Sequence, residues 1–532
     1  MPPQLSGIDP ANPRPKIRRE FQFGAGVSLA PNPVKKVLFY GSKTSAGSET
    51  AAVIGDKIVD VADLMTRAGG RSNIMSAYLA FCAIPQDVDC YFIASTESGG
   101  AAAYCLLTVS GASDANTTLE VTVVGAKIQV AIPTGQAATD TATAIAAALA
   151  AAPLPLPGAP GGTLPITCVA AIIGGGPTYG VTITAALKGP DGDHIIGSGA
   201  SRGIRVRMIG TNTQTVTKGA LSAGTTEVDY TAAYTEVAND FFAEQIHPGH
   251  ATTTVTAADN GIGEGIALVK AQAGPKYGKV QVMHFGLVGT QTQQAAVSVS
   301  TGANSVYARF WWDENSDWTP GMLAAHHAAI KRAAEMRHPG ANINEWVAND
   351  NQVYLVPAKY LKADRATEDE IVAAINTGAS PVSHDLGRPK LERHVTSRGL
   401  NDQLAVDYRA REGHVTSVVD FAWSTFEARY QSQKQPNGAQ DPVGNNPPLP
   451  NTTTPGQVAS IMLGVIEDLT GPNPLGIYKG PILDPSPEAV AHMRDSVAAD
   501  FVGGGFGIVT DFMSVIHNIK LSGLIRETQT AY

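Results

Sequence analysis

The clearest pattern in the chain lies near its end. Val515–Arg526 reads VIHNIKLSGLIR, with Val515, Ile519, Leu521 and Ile525 on one face and Asn518, Lys520, Ser522 and Arg526 on the other. A period of two predicts a half-buried strand. So close to a terminus, such a strand needs a sheet to join, its own or a neighbour's. The opposite end holds a shorter alternation, Phe21 and Phe23 between Glu20 and Gln22, within a proline-rich arm. Buried strands are expected at Lys36–Tyr40 and Cys90–Ala94, with helical pieces at Ile58–Met65 and Asn73–Ala83.

From about residue 96 to 212 charges thin out and Ala, Gly and Thr dominate. Two β-rich runs, Leu119–Val124 and Lys127–Ile132, flank Gly125-Ala126, a pair suited to a type II′ hairpin. An Ala-rich helix, Asp140–Ala151, then stops at Pro153, and strands are expected at Ile166–Ile173, Gly180–Ala186 and Gly203–Ile209. This ββαβββ unit reads as a small domain inserted into a larger one. Beyond residue 230, helices at Ala232–Gln245 and Glu264–Gln272 alternate with strands at Lys279–Phe285 and Ser305–Trp312. A helix capped by Thr319 and opened by Pro320 runs to Arg337. Alternation of this kind predicts a layered αβ core. His414–Gln433 carries Val415, Val419, Ala422 and Phe426 at helical spacing. The Pro- and Asn-rich 435–455 stretch reads as an exposed loop, and Thr454-Pro455 and Ser486-Pro487 as helix starts.

These readings give a multidomain α+β and α/β fold: an N-terminal arm at 1–34, core segments at 35–95, 206–434 and 456–512, an inserted outer domain at 96–205, the exposed loop at 435–455 and a C-terminal arm strand at 513–532. Length agrees, since 532 residues exceed one ordinary domain.

Charge narrows the function. Only 16% of residues are charged, against about 25% in a typical globular chain, which fits a β-rich protein that contacts other protein surfaces. The net charge of −9 argues against coating nucleic acid. The N-terminal basic cluster Arg14, Lys16, Arg18 and Arg19 reads as a solvated arm. No apolar core of a signal peptide opens the sequence, and Ala138–Leu156 is too weakly apolar to span a bilayer, so assembly in the cytoplasm without membrane insertion is expected. Cys82, Cys90, Cys105 and Cys168 form no C-x-x-C and read as reduced, buried thiols.

Candidate chemistry is thin. Gly199-Ala200-Ser201-Arg202-Gly203 matches G-x-S-x-G, but a nucleophile elbow follows a strand and opens a helix, whereas this run precedes a strand. His326, His327 and His338 lack the i, i+4 spacing of helix-borne zinc ligands, and His327 shares an apolar stripe with Leu323 and Ile330. Gly189-Pro190-Asp191-Gly192-Asp193 reads as a tight turn and not a calcium loop. No phosphate-binding loop occurs, and no cofactor, metal or catalytic residue is assigned. Trp311, Trp312 and Trp318 are explained by core packing.

The order of parts resembles the tail sheath proteins of contractile-tailed phages, in particular the Mu-like sheath group. The similarity covers most of the length: LSGIDPANPRP (Leu5–Pro15) is similar to the family's opening arm, and VTVVGAKIQVAI, the helix with Ala144–Ala151 and VTITAALKGPDGD are similar to its inserted domain. The 232–337 region, the long helix and the final strand follow in the family's order. His338-Pro339-Gly340, where the family tends to have Asp-Pro-x-x-Pro, and the 435–455 loop depart from it. The resemblance implies a non-enzymatic virion component, with stacked six-fold rings of the chain around a tail tube protein and contacts to baseplate and tail terminator proteins. Its arms would complete one another's sheets through Phe21, Phe23, Val515, Ile516, Ile519, Leu521, Leu524 and Ile525. The alternatives are the sheath of a bacterial contractile injection system and a serine hydrolase using Ser201.

Overall fold

The structure is a computed structural model, and it describes residues 35–156, 162–172, 178–197, 203–250, 255, 261–273, 280–300, 302–341, 343–344, 346–347, 354–359, 365–385, 388–400, 411–433, 455–476, 479–495, 498–500, 505–507, 519–522 and 526–529. It is a mixed αβ, multi-sheet architecture, as expected. The core opens with β1 (Lys35–Ser42), α1 (Val61–Ala68), α2 (Asn73–Cys82) and β2 (Val88–Ser95). Ser72 caps α2, its Oγ accepting from Met75 N at 3.1 Å, and α2 is buried along nearly its whole length.

The chain then leaves for the insert: β3 (Ala102–Ser110), β4 (Thr117–Val123), β5 (Ala126–Ile132), α3 (Ala138–Ala151), β6 (Ile166–Ile172), β7 (Tyr179–Lys188), a 3-10 turn at Pro190–Gly192, α4 (Asp193–Ile196), β8 (Arg205–Ile209) and β9 (Thr215–Lys218). These build two antiparallel sheets, β6-β7-β3-β9 and β5-β4-β8. The unit is therefore richer than ββαβββ. β3 escapes the pattern because its outward face also carries apolar Tyr104 and Leu106, which erases the alternation. β8 and β9 pair with β4 and β3, and Ser98 Oγ donates to Thr226 O at 2.6 Å, so the insert closes well beyond residue 205.

Back in the core come α5 (Thr231–Val237), β10 (Glu244–His250), α6 (Ile262–Ala273), β11 (Val282–Leu287), α7 (Gln291–Ser298), β12 (Ala308–Trp312), α8 (Pro320–Arg337), β13 (Trp346–Val347), α9 (Glu368–Asn376), β14 (Ser380–Asp385) and β15 (Arg388–Leu391). The single helix expected over Ala232–Gln245 is instead α5 followed by the start of β10. All eight core strands share one sheet, in the order β13-β15-β14-β12-β11-β10-β1-β2, with β2 through β14 parallel. Helices α2 and α8 cover one face, in an apolar cluster continuous with the insert; α5, α6, α7 and α9 cover the other. This is a doubly wound sheet whose strand order reverses at β1, between β2 and β10.

The C-terminal part holds α10 (Gly413–Gln433), α11 (Pro455–Thr470) and α12 (Pro487–Asp495) around their own apolar cluster of Val418, Phe426, Met462, Ile466 and Met493. Two short hairpins end the chain, β16 (Ala498–Asp500) with β17 (Gly505–Gly507) and β18 (Ile519–Ser522) with β19 (Arg526–Gln529).

The β4–β5 turn differs from expectation by one residue. Val123 pairs with Ala126, and the two central residues, Val124 and Gly125, have φ of 50° and 79°. Two positive φ values make a type I′ turn. A β-branched residue there is strained by about 1–3 kcal/mol, but Val124 is only 1% exposed, and burying its side chain returns about 1.5–3 kcal/mol. A Cβ at Gly125 would stand 3.3 Å from Pro357 Cγ, whereas one at Gly135, also at positive φ (82°), would meet nothing within 4 Å. Gly125→Ala is expected to lower unfolding free energy by more than about 1 kcal/mol, and by more than Gly135→Ala; equal losses in a denaturant titration would show that the Pro357 contact carries no weight.

Candidate inter-subunit interface and its anchorage

Of the residues expected to link subunits, Phe21, Phe23, Val515, Ile516, Leu524 and Ile525 lie outside the described residues. Ile519 and Leu521 fall in β18, where they pair with Gln529 and Glu527 of β19. The continuous strand expected through Arg526 thus stops at Ser522, and Arg526 opens the returning strand. Among the described residues neither terminal ribbon joins another sheet. An isolated two-stranded hairpin is marginal in water, and both outer edges of such a ribbon offer unpaired N–H and C=O groups.

The large sheet is different. The outer edge of β2 is closed by the chain's own 52–58 segment: Ala52 N donates to Ala94 O at 2.7 Å, Gly55 N to Phe92 O at 3.2 Å and Ile58 N to Cys90 O at 2.8 Å. Among the described residues the other edge ends in β13, two residues long. Short strands and covered edges are how sheets avoid unplanned pairing.

What seats the C-terminal helices on this sheet is a buried charge network centred on Glu244. Lys331 Nζ lies 2.7 Å from Glu244 Oε1 and 2.7 Å from Glu335 Oε1. Arg332 Nη1 reaches Glu335 Oε2 at 2.6 Å, and Ser417 Oγ of α10 donates to Glu335 Oε1. His284 Nε2 meets Glu244 Oε2 at 2.6 Å, while its Nδ1 accepts from Trp311 Nε1 at 3.1 Å. Nδ1 being an acceptor, the ring's proton sits on Nε2 and points at the carboxylate. Trp311 stacks on His327 and His394 with centroids 4.7 and 5.3 Å away. Arg309, fully buried on β12, donates from Nη2 to Gly413 O at 3.0 Å and to Thr416 Oγ1, from Nε to His394 Nε2 at 3.2 Å, and from Nη1 to Val306 O at 2.9 Å. At the point where the chain enters the sheet, Lys35 Nζ lies 3.8 Å from Asp420 Oδ2 of α10. A second knot joins Asp313 to Lys359 and, at 3.0 Å, to His384 Nε2.

Burial pushes Glu244 and Asp313 up, but their cationic partners outweigh it and hold both near about 2. Burial lowers Arg309 to about 10, His326 to about 3, and His327 and His247 to about 4; it lowers His284 and His394 as well. His327 is a satisfied core histidine, as the apolar stripe implied, and His326 is another. His327 uses Leu323 O at 2.8 Å and Tyr354 Oη at 2.9 Å; His326 uses Ala80 O at 3.3 Å and Leu355 N at 3.2 Å. Trp311, Trp312 and Trp318 are all core. No group of three or more potential ligands is placed to hold a metal among the described residues. Ser201 lies outside them; Gly203 leads into β8, a strand. All four cysteines are free, with Cys90 and Cys105 buried and Cys82 exposed. No described helix is long and apolar enough to cross a membrane.

The sequence reading missed the Glu244 network. Its one legible trace is on α8, AAHHAAIKRAAEMR, where Lys331 and Glu335 stand at i, i+4 on a helix without a polar face, the sign of an all-round buried helix.

No family model matches the sequence, and no curated protein matches it. Among solved structures, the chain is similar to the crystal structure of the sheath tail protein from Desulfitobacterium hafniense, with 13% identity and a TM-score of 0.38, over 84% of this chain and 89% of that one.

Two outcomes follow from the network and the histidines. Lys331→Met leaves Glu244 and Glu335 short of their shared cation and is expected to cost about 3–5 kcal/mol, read in a denaturant titration at neutral pH; a loss under 1 kcal/mol would remove the network from its anchoring role. His247, His326 and His327 bind protons in the unfolded chain below about pH 6.5 but in the fold only near pH 4 or lower. Each therefore withdraws about 1.4 kcal/mol per pH unit as pH falls through that window. Stability is expected to fall between pH 6.5 and 4, and a denaturation midpoint that rises on acidification would contradict this.

Proposed function

We propose that this chain is the structural subunit of a contractile tail sheath. Copies polymerise as stacked hexameric rings around a tail tube and contract to drive the tube through the envelope of a target cell. The observation that carries the reading is the β18–β19 ribbon: two four-residue strands that join no other sheet among the described residues, following a large sheet with one edge closed by its own chain. Such a ribbon gains most by adding to, or accepting, a strand of the next copy.

The mechanism follows from what main-chain pairing requires. β-augmentation uses backbone hydrogen bonds, which do not depend on side-chain fit. Links of this kind persist while the rigid αβ cores rotate and repack between two states. The free energy released on contraction is stored at assembly in a kinetically trapped state, so the subunit needs no nucleotide. The low charge content and the order of parts along the sequence, which resembles that of Mu-like sheaths, support the same reading. So does the Lys35–Asp420 contact, which puts the start of the core sheet beside the helices that lead to the C-terminal ribbons. The partners are further copies of the chain, the tail tube, and the baseplate and terminator proteins at its ends, in the virion.

Purified full-length protein is expected to form hollow striated tubes by negative-stain electron microscopy. A chain ending at Phe512 should stay folded and soluble but form none. Long tubes from the truncated chain would overturn the assignment of the linkage to the C-terminal ribbon.

A further inference from the structure

Doubly wound sheets usually receive a ligand outside the carboxyl ends of their strands, where the strand order reverses. Here that crevice, between the ends of β1 and β10, is filled by the insert. The Pro190–Gly192 turn carries Asp191 into it. Asn73, the first residue of α2, bridges the two units: its Oδ1 accepts from Ser42 N at 2.9 Å, and its Nδ2 donates to Asp191 Oδ2 at 3.1 Å. The carboxyl rests close to the backbone of β10, since a Cβ added at Gly249 would stand 3.8 Å from Asp191 Oδ1 and 2.8 Å from His247 Cε1. Tyr230, just before α5, is buried beside it, its ring edge-on to His247 at 4.7 Å. His247 Nδ1 accepts from Gly249 N at 3.1 Å. Next to Asp191 is a cavity of about 20 Å³, room for one water, lined by Arg71, Asn73, Ser76, Leu187 and Pro248 among others.

We propose that Asp191 is a proton-operated fastening between the insert and the core: the neutral carboxyl seats the turn in the crevice, and its ionisation loosens that seat. The inference is independent of the sheath reading.

The surroundings supply the reason. Asp191 is half-buried, and burial is the main cause that pushes it up to about 7. The Asn73 hydrogen bond opposes the rise, and the carboxylates of Glu227, on the returning segment, and Asp193, in the next turn, add to it. Tyr230 and His247 face the group as neutral rings, burial holding the first up and the second down to about 4; Arg71 and His194 are the remaining ionisable groups on the cavity wall. Released from the crevice, Asp191 would titrate near 3.9. The seated state therefore binds the proton over the wider range. Its advantage is complete below about pH 4 and is lost as pH rises through about 7, the reverse of the histidine effect.

The test compares full-length wild type with Asp191→Asn, whose amide keeps the shape of the neutral carboxyl. Amide hydrogen exchange is followed across 189–195 from pH 5 to 8, taking the wild-type to variant ratio at each pH so that intrinsic exchange cancels. The ratio is expected to be lowest at pH 5 and to rise by up to about tenfold per pH unit until it levels off above pH 7. A ratio that does not change with pH would overturn the proposal. A reading on wild type alone guards against a misfolded variant: infrared difference spectra between pH 5 and 8 should show one protonated carboxyl ionising near neutrality. A spectrum with no such band would overturn the proposal equally.

Discussion

Placing an ion at the centre of a parallel sheet costs several kcal/mol unless every partner arrives with it, and Glu244 imposes that condition on the whole core. Its carboxylate is satisfied only when β11 supplies His284 and α8 supplies Lys331. Lys331 in turn is shared with Glu335, which α10 reaches through Ser417. The requirement runs from the sheet through one helix to the C-terminal helices. It fixes the register of α8 on the sheet, because a shift of one residue would carry Lys331 away from Glu244 and leave that buried carboxylate without its cation. Apolar packing alone, on a helix as uniformly small and buried as α8, would hold that register less firmly.

Much of the core was legible because its signals are local. Thr319 and Pro320 announce α8 by capping chemistry, and KVLFY and CYFIA read as buried strands because both of their faces are apolar. β10 could not be read this way. Its sequence, EQIHPGH, looks like the end of a surface helix, since Glu244, Gln245 and His247 are polar and Pro248 interrupts pairing; the strand is central only because distant residues satisfy those groups. The β4–β5 turn was found but placed one residue late, as a buried valine at positive φ is explained by its packing and not by turn preferences. At the C-terminus the alternation around Ile519 and Leu521 was legible. The reversal after Ser522 was not, because Gly523 offers only a single ambiguous signal within an apolar run.

The insert and the core are separate in sequence pattern yet joined in substance. One apolar cluster passes from α2 and α8 into the sheets of the insert, and Arg205 Nη2 meets Asp317 Oδ2 across the same boundary at 2.6 Å. The turn at 189–193, read from sequence as a plain tight turn, is that in its backbone; its position at the reversal of strand order emerges only from the topology. A crevice that other proteins of this architecture leave open is here occupied by the chain itself.

The sealing of β2 by the 52–58 segment has a consequence for how many ways the molecule can stick to its own kind. An eight-stranded sheet with a free, regular flank would accept strands without limit and in any orientation. With one flank covered and the other tapering to the stub at Trp346–Val347, indiscriminate stacking is blocked at the largest surface that could support it. Any self-association is then left to small peripheral elements, each of which could engage only a limited number of neighbours in a set direction.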